Sequence, residues 1–160
     1  LCSEDDWDEC MNLDLASHWR LSKEALPLLR KGEGDGPGAI VIIGSNHANN
    51  TIPGCFPYNV AKAGLLGLVQ SIAIEWGPDI RCAGIAPGFI DTEGNDAWFD
   101  TFPDPAVERK RTEDTHPVGR IGNVDEIGAL CAFLASSHGG FISGTTLLAD
   151  GGRSALMQDS

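Results

Sequence analysis

Three apolar runs, separated by longer stretches of helical character, constrain the fold more than any other feature of this sequence. The runs are AIVII (39–43), DIRCAGIA (79–86) and residues 145–149. Continuous apolar runs are typical of strands that are covered on both faces in a parallel sheet. Parallel strands need long crossover connections, and residues 57–76 and a stretch beginning at Asn123 are long enough to be crossover helices. The pattern therefore predicts an α/β fold.

A further helix is predicted before the first strand. Ser3 is a good N-cap residue, and the acidic residues 4–6 would stabilise the first helical turn, where the helix dipole is positive. Apolar residues then recur at near-helical spacing: Met11, Leu15, Trp19, Ala25 and Leu29. The helix is expected to end in a glycine-rich surface loop, 31–38. Asn123 and Glu126 have the spacing of a capping box for the last helix, so the order is helix, strand, helix, strand, helix, strand.

Composition and charge exclude several classes of function. The 160 residues suit one domain, 1–160, with its own core. A net charge of −12 argues against binding to nucleic acid, which needs clustered basic residues. No apolar run approaches the ~18 residues of a membrane span, and the opening LCSEDDWDEC lacks the regions of a signal peptide. We therefore expect a cytoplasmic protein with no membrane partner.

The cysteines and histidines predict neither disulfides nor a metal site. The five cysteines are odd in number and lack CxxC spacing: Cys2, Cys10, Cys55, Cys82 and Cys131. The four histidines show no ligand spacing either. A reducing compartment and no bound metal are expected.

Tyr58, the only tyrosine of the chain, is the most informative single residue. Lys62 follows it by four positions, and such residues share one face of a helix. A nearby ammonium favours the phenolate form, so the phenol could donate or accept a proton at working pH. Ser45 lies at the carboxyl end of the first strand, where ligands of parallel sheets bind. The hydroxyls of Tyr58 and Ser45 are therefore expected to converge on one substrate oxygen.

Six motifs, in order along the chain, resemble those of the short-chain dehydrogenase/reductase family. They are IVIIGS (40–45), YNVAK (58–62), IAPGFIDT (85–92), PVGRIGNVDEI (117–127), FLAS (133–136) and FISGTTLLADGG (141–152). The resemblance covers nearly the whole chain. It implies the C-terminal, catalytic half of a Rossmann fold, that is, part of a doubly wound parallel sheet.

The same resemblance implies roles for individual residues in an NAD(P)-dependent enzyme that interconverts an alcohol and a ketone or aldehyde. Ser45 would hold the substrate oxygen, and Tyr58 would be the proton donor or acceptor. Lys62 would promote ionisation of Tyr58 and hold the nicotinamide ribose. The cofactor would also lie against Pro87-Gly88, with Ile90 (through its backbone) and Thr92 at the nicotinamide carboxamide.

One departure from the family pattern concerns the first helix. In NLDL (12–15), Asp14 stands where the family usually has an asparagine whose region helps hold a proton-relay water. Aspartate can serve if the relay uses the backbone carbonyl. A charged carboxylate near the site could instead oppose ionisation of Tyr58.

A larger departure is that the glycine-rich loop and the cofactor-selecting residue of the family are absent from these 160 residues. The choice between NAD and NADP therefore stays open, and the isolated chain is expected to be inactive. The alternative interpretation is a truncated or split module, without cofactor, that serves oligomerisation. A homo-oligomer, a dimer or tetramer, is expected in either case. Helix 58–76 is apolar almost all round, with Gly64 and Gly67 near the expected contact.

Overall fold

The structure, a computed structural model, describes residues 2–30 and 36–156. The α/β prediction is confirmed. The helices and strands are α1 (Glu4–Met11), α2 (Ser17–Leu29), β1 (Gly38–Ile43), α3 (Tyr58–Glu75), β2 (Ile80–Pro87), β3 (Ile90–Asp91), α4 (Glu93–Phe99), α5 (Pro105–Asp114), β4 (Gly122–Asn123), α6 (Val124–Ala135) and β5 (Thr146–Ala149). The glycine-rich stretch interpreted as a loop falls mostly on residues 31–35, which lie outside the described residues.

The main sheet has three parallel strands in the order β1-β2-β5, which is the predicted parallel arrangement. Gly38 pairs with Ile80 at one end of the β1–β2 ladder, and Gly84 pairs with Thr146 where β5 begins. β2 is central and almost entirely buried. β1 was expected to be covered on both faces, but only Ile42 in it is fully buried. No strand within the described ranges pairs with its outer edge, and β1 therefore stays half-exposed.

Helices cover both faces of this sheet, as in a doubly wound fold. On one face, α3 packs Leu65, Val69 and Ile72 against Ile80 of β2. On the other face, Leu134 of α6 packs against the central strand. Burying an aliphatic side chain of this size contributes about 1.5–3 kcal/mol, so these two layers fix the positions of the strand ends.

The first predicted helix is interrupted. Ser3 and Asp6 form the capping box of α1, which confirms the predicted start. Residues Asn12–Ala16, however, form a π-helical turn between α1 and α2. The Ser17 hydroxyl donates a hydrogen bond back to the Leu13 carbonyl, a contact that bends helices. Such π-turns often mark functional sites, and this one contains Asp14.

The acidic and aromatic segment after β2 folds into two helices, α4 and α5, and the short β3–β4 pair. Asp104 caps α5 by accepting hydrogen bonds from two backbone N–H groups. Phe99 is buried beside Phe89, whereas Trp98 packs against Phe102 with ring centroids 4.7 Å apart. The aromatic residues therefore pack against one another and form the apolar core of the segment that contains α4 and α5.

The two glycines predicted near a subunit contact differ in their surroundings. A Cβ on Gly64 would lie 2.8 Å from Leu15 Cδ2, so this glycine serves packing between α3 and the first helix of the same chain. At Gly67 nothing lies within 4 Å of such a Cβ. Of these two glycines, only Gly67 is therefore open among the described residues. Within the described ranges, no helix combines the length and hydrophobicity needed to cross a membrane.

Candidate active site

Tyr58 is the first residue of α3 and follows Pro57, which occupies the N-cap position. One helical turn later, Lys62 Nζ lies 5.2 Å from the centroid of the Tyr58 ring. Lys62 is only 8% exposed. The predicted pairing on one helix face is therefore present, and the ammonium is largely removed from solvent.

Asp14 supplies the opposite charge for this buried lysine. Its Oδ1 lies 3.0 Å from Lys62 Nζ, and the two side chains are 25% and 10% exposed, respectively. The Cys10 thiol donates to Asp14 Oδ2 at 3.6 Å. Burial, and after it the Asp14 carboxylate, raises the pKa of the Cys10 thiol. Burial lowers the pKa of His18, and the Lys62 ammonium lowers it further.

Ser45 lies just past the end of β1, as predicted, and is 6% exposed. Its Oγ accepts a hydrogen bond from the His47 backbone N–H at 3.2 Å, which fixes the side chain at the start of a 3₁₀ turn, Asn46–Ala48. The hydroxyl hydrogen remains free to be donated. The His47 ring packs edge-on against Tyr58, with centroids 6.1 Å apart. Burial first, and then the charge of Arg153, lowers the pKa of His47.

Ser45 and Tyr58 line one cleft of about 650 Å³ at the carboxyl ends of β1 and β2. The remaining walls come from the loop after Ser45, from α4, from the end of α5 and from the turn after β5: Asn46, His47, Asn50, Thr51, Ile52, Cys55, Gly88, Phe89, Asn95, Trp98, Arg111, Thr112, Thr115, His116, Arg153, Ser154 and Leu156. This volume suits a small organic molecule. The structure therefore brings two of the predicted catalytic residues to a single concave site.

The residues predicted at the cofactor lie beside this cleft in different settings. Pro87 ends β2, and Gly88 lines the cleft. A Cβ on Gly88 would lie 2.9 Å from Asp150 Cα, so only glycine fits this approach of two backbones. Ile90 lies in β3 and lines a neighbouring cavity of about 320 Å³. Thr92 is the N-cap of α4, with its Oγ accepting from Asn95 N at 3.2 Å.

The hydrogen-bonding groups of these residues are of the kind that a nicotinamide cofactor needs. The Thr92 hydroxyl accepts from Asn95 and keeps its own hydrogen for an amide oxygen. The Ile90 carbonyl already accepts from Asn95 Nδ2 at 2.6 Å. Lys62 carries ammonium hydrogens beyond the bond to Asp14, which ribose hydroxyls can accept.

Three polar residues of the cleft were not predicted from the sequence. Arg153 Nη1 donates to the Thr115 carbonyl at 3.2 Å. His116 Nδ1 contacts the Thr112 carbonyl at 2.9 Å, whereas His116 Nε2 is buried without a hydrogen-bond partner in the described part of the chain. Ser154 Oγ is buried as well, beside the Asp150 carboxylate. Only their position in the sequence could have indicated that Arg153 and Ser154 line the site, because they directly follow the Asp-Gly-Gly turn at a strand end.

Asp150 organises that turn. Its carboxylate accepts hydrogen bonds from the backbone N–H groups of Gly152 at 3.1 Å and Ser154 at 2.8 Å. Burial raises the pKa of Asp150, but hydrogen bonding to the Ser154 side chain first, and to the backbone N–H groups of Ser154 and Gly152 next, outweighs it and leaves the pKa below its ordinary value. The turn therefore carries a fixed negative charge whose two oxygens are both occupied by backbone donors.

Comparison with known proteins connects this geometry to a family. A family model described as enoyl-(acyl carrier protein) reductase matches residues 1–154. An uncharacterized oxidoreductase of Schizosaccharomyces pombe is 37% identical over 98% of the chain and 60% of its own length. Human dehydrogenase/reductase SDR family member 4 is 31% identical over 94% of the chain and 52% of its own length. The chain thus spans between half and two thirds of the length of these relatives.

Solved structures share the same fold. The ligand-free aldohexose dehydrogenase of Thermoplasma acidophilum superimposes with a TM-score of 0.92 at 29% identity, over 99% of this chain and 63% of the other. A putative gluconate dehydrogenase of Agrobacterium tumefaciens gives a TM-score of 0.85 at 28% identity, over 97% of this chain and 59% of the other. The prediction of part of a doubly wound sheet is confirmed.

Proposed function

Because the chain belongs to the short-chain dehydrogenase/reductase family, we propose that it forms the catalytic part of an NAD(P)-dependent oxidoreductase that interconverts an alcohol and a ketone or aldehyde. The observation that carries the proposal is the shared cleft of Ser45 and Tyr58, with the Lys62 ammonium beside the Tyr58 ring. A hydroxyl donor, a titratable phenol and a buried cation at one site are the parts that proton transfer to a carbonyl oxygen needs.

In the direction of reduction, the Ser45 hydroxyl donates a hydrogen bond to the substrate carbonyl oxygen. This is possible because its Oγ is anchored as an acceptor to His47 N and its hydrogen is free. Tyr58 donates its phenolic proton to the same oxygen as negative charge develops there. In the direction of oxidation, the Tyr58 phenolate removes the proton from the alcohol. The nicotinamide, when bound, supplies or accepts the hydride.

Lys62 stabilises the ionised form of Tyr58 through its charge, because a cation in a partly desolvated site acts more strongly than one in water. Asp14 opposes part of that effect. Its carboxylate lies 3.0 Å from Lys62 Nζ and orients the ammonium. Asp14 is therefore proposed as a positioning residue that sets the working pH of Tyr58.

The cofactor is proposed to lie along Pro87, Gly88, Ile90 and Thr92, at the ends of β2 and β3. Thr92 and the Ile90 backbone would bind the carboxamide, and Lys62 would bind the ribose. The part of the protein that selects NAD or NADP lies outside this chain. We propose a small alcohol or carbonyl compound as the substrate, and no nucleic-acid partner, because a chain of net charge −12 binds nucleic acid poorly. We propose the cytoplasm as the working compartment, because the five scattered cysteines suit a reducing environment.

We also propose that the protein is a homo-oligomer. Gly67 has an open surface, and Ile74 of α3 is 76% exposed. Leu13 and Leu21 of the first helical segment are 65% and 73% exposed. A symmetric contact between two copies would cover these side chains. Light scattering of the whole protein at micromolar concentration tests this: a monomer would contradict it.

Deuterium transfer tests the proposed reaction. The whole protein is incubated with a ketone panel and NADH or NADPH deuterated at nicotinamide C4, in both stereochemical forms. The proposal predicts that at least one cofactor, in one of its two stereochemical forms, transfers deuterium to the carbinol carbon of the product. Absence of transfer from either cofactor, across aliphatic, cyclic and hydroxylated ketones and ketones that carry a carboxylate or phosphate, would favour the alternative of a non-catalytic module.

A further inference from the structure

The charge of the cleft is opposite to that of the chain. Asp and Glu outnumber Lys and Arg by 23 to 11 in the sequence. The cleft that holds Ser45 and Tyr58 nevertheless contains Arg111 and Arg153, and no Asp or Glu of the described residues lines it. A cationic pocket in an acidic protein attracts anions, and it has no such effect on neutral ligands. The lining therefore points to an anionic ligand.

The two arginines differ in how far their charge is already neutralised. Arg111 Nε donates to both carboxylate oxygens of Glu108, at 3.0 and 2.9 Å, so its charge is paired. Arg153 forms no ion pair with any residue in the described ranges. The Asp150 carboxylate, three positions earlier, is instead occupied by backbone N–H groups.

Arg153 also keeps one edge of its guanidinium free. The single side-chain hydrogen bond that it forms in the described structure runs from Nη1 to the Thr115 carbonyl at 3.2 Å. This bond fixes the group in the cleft wall and leaves Nε and Nη2, the edge that binds two oxygens of one carboxylate or phosphate. A guanidinium edge that is held in the cleft wall is thus open to an anionic ligand.

We propose that Arg153 binds an anionic group of the substrate, so that the enzyme acts on an oxo acid or an oxo phosphate rather than on a neutral ketone. The carbonyl end of the substrate lies at Ser45 and Tyr58, and the anionic end lies at the turn after β5. The inference rests on the proposed function, because it assigns the substrate class of the same cleft.

Matched substrates test the inference in the whole protein. We compare kcat/KM for 4-oxopentanoate, for its neutral methyl ester and for hydroxyacetone phosphate. The proposal predicts a preference for an anion over the ester, and the two anions distinguish a carboxylate from a phosphate site. Arg153→Gln reduces that preference by about 10- to 100-fold, the value of one hydrogen-bonded charge. Arg153→Lys retains part of it, since the charge remains and the fork is lost.

Arg111→Gln is the matched control, because it removes a cation of the same cleft that Glu108 already pairs. It leaves the preference for the anion unchanged. An equal preference in wild type, Arg153→Gln and Arg111→Gln, in a protein that reduces the ester, overturns the inference and leaves the proposed function intact. An effect of Arg153→Gln on the KM of the cofactor alone overturns it as well, because the anion held would then be a cofactor phosphate.

The inference also has a readout that does not depend on turnover. Calorimetric titration with 4-oxopentanoate and with hydroxyacetone phosphate measures binding to wild type and to an Arg153→Gln variant whose melting temperature matches that of the wild type. Weaker binding in Arg153→Gln supports the anion site even if no ketone is reduced, a result that contradicts only the proposed function. Equal binding, or none, in wild type and Arg153→Gln overturns the anion site.

Discussion

The Asp14 carboxylate and the Lys62 ammonium form a 3.0 Å ion pair beside Tyr58, and the π-helical turn in the first helical segment is what contains Asp14. Breaking a fully buried ion pair by removing one partner costs about 3–5 kcal/mol. Because the Asp14 side chain is still 25% exposed, its loss should cost less than this. The pair therefore contributes less to the stability of the fold than a fully buried pair would.

Replacing Asp14 by asparagine should shift the pH dependence of turnover. The substitution removes a negative charge near Lys62, so the ammonium favours the Tyr58 phenolate more strongly. The basic limb of the pH–rate profile for carbonyl reduction should move to lower pH, since the protonated phenol is then lost earlier. Steady-state kinetics of the whole protein between pH 6 and 10 measures this shift.

The matched control is Asp8→Asn, which removes an exposed carboxylate from the same helical segment. Its profile should coincide with that of the wild type. If Asp14→Asn and Asp8→Asn both leave the basic limb in place, the Asp14–Lys62 pair does not act on Tyr58.

Gly88→Ala should destabilise the protein. The added Cβ would lie 2.9 Å from Asp150 Cα, a backbone atom that cannot move without disturbing the turn after β5. Overpacking of this kind costs about 1–3 kcal/mol. Urea denaturation should show the loss as a lower free energy of unfolding.

Gly67→Ala is the comparison for that variant, because nothing lies within 4 Å of its added Cβ in a helix interior. Alanine is favoured there by about 1 kcal/mol. In the dissociated subunit, Gly67→Ala is expected to be more stable than the wild type and Gly88→Ala less stable. The opposite order would mean that the strand ends are not packed as described.

Glu126 should make stability depend on pH in the acidic range. Hydrogen bonds from Arg120 first, and from the Asn123 backbone N–H next, hold its pKa at about 2 instead of its ordinary 4.5. A lowered pKa in the folded state gives stability that is fully present above pH 4.5 and is lost as pH falls toward 2. The difference in unfolding midpoint between wild type and Glu126→Gln should therefore shrink across that interval. A difference that is constant with pH would argue against the pairing with Arg120.

The sequence predicted the parts of the fold that local chemistry determines. The apolar runs became parallel strands, and the caps at Ser3 and Asn123 formed as capping boxes. The i, i+4 relation of Tyr58 and Lys62 required only that α3 be a helix. Because each of these signals lies within one element, no knowledge of the tertiary fold was needed.

Contacts between distant elements could not be predicted in this way. The π-turn depends on a hydroxyl-to-carbonyl bond at Ser17, and an ordinary helix has the same apolar spacing. Gly64 suggested a contact between copies, but the structure shows Leu15 of the same chain packed against it. Arg153 enters the cleft because β5 pairs with β2, a neighbour far away in sequence. The residues next to Arg153 in the sequence therefore gave no indication that it would line the cleft.

Turnover of the Tyr58→Phe variant of the whole protein tests the central claim most directly. Phenylalanine keeps the ring that packs against His47 and lies beside Lys62, and it removes only the phenolic proton. With the fold checked by circular dichroism, kcat for carbonyl reduction should fall about 10²- to 10⁴-fold. A kcat near that of the wild type would contradict the claim that Tyr58 transfers the proton.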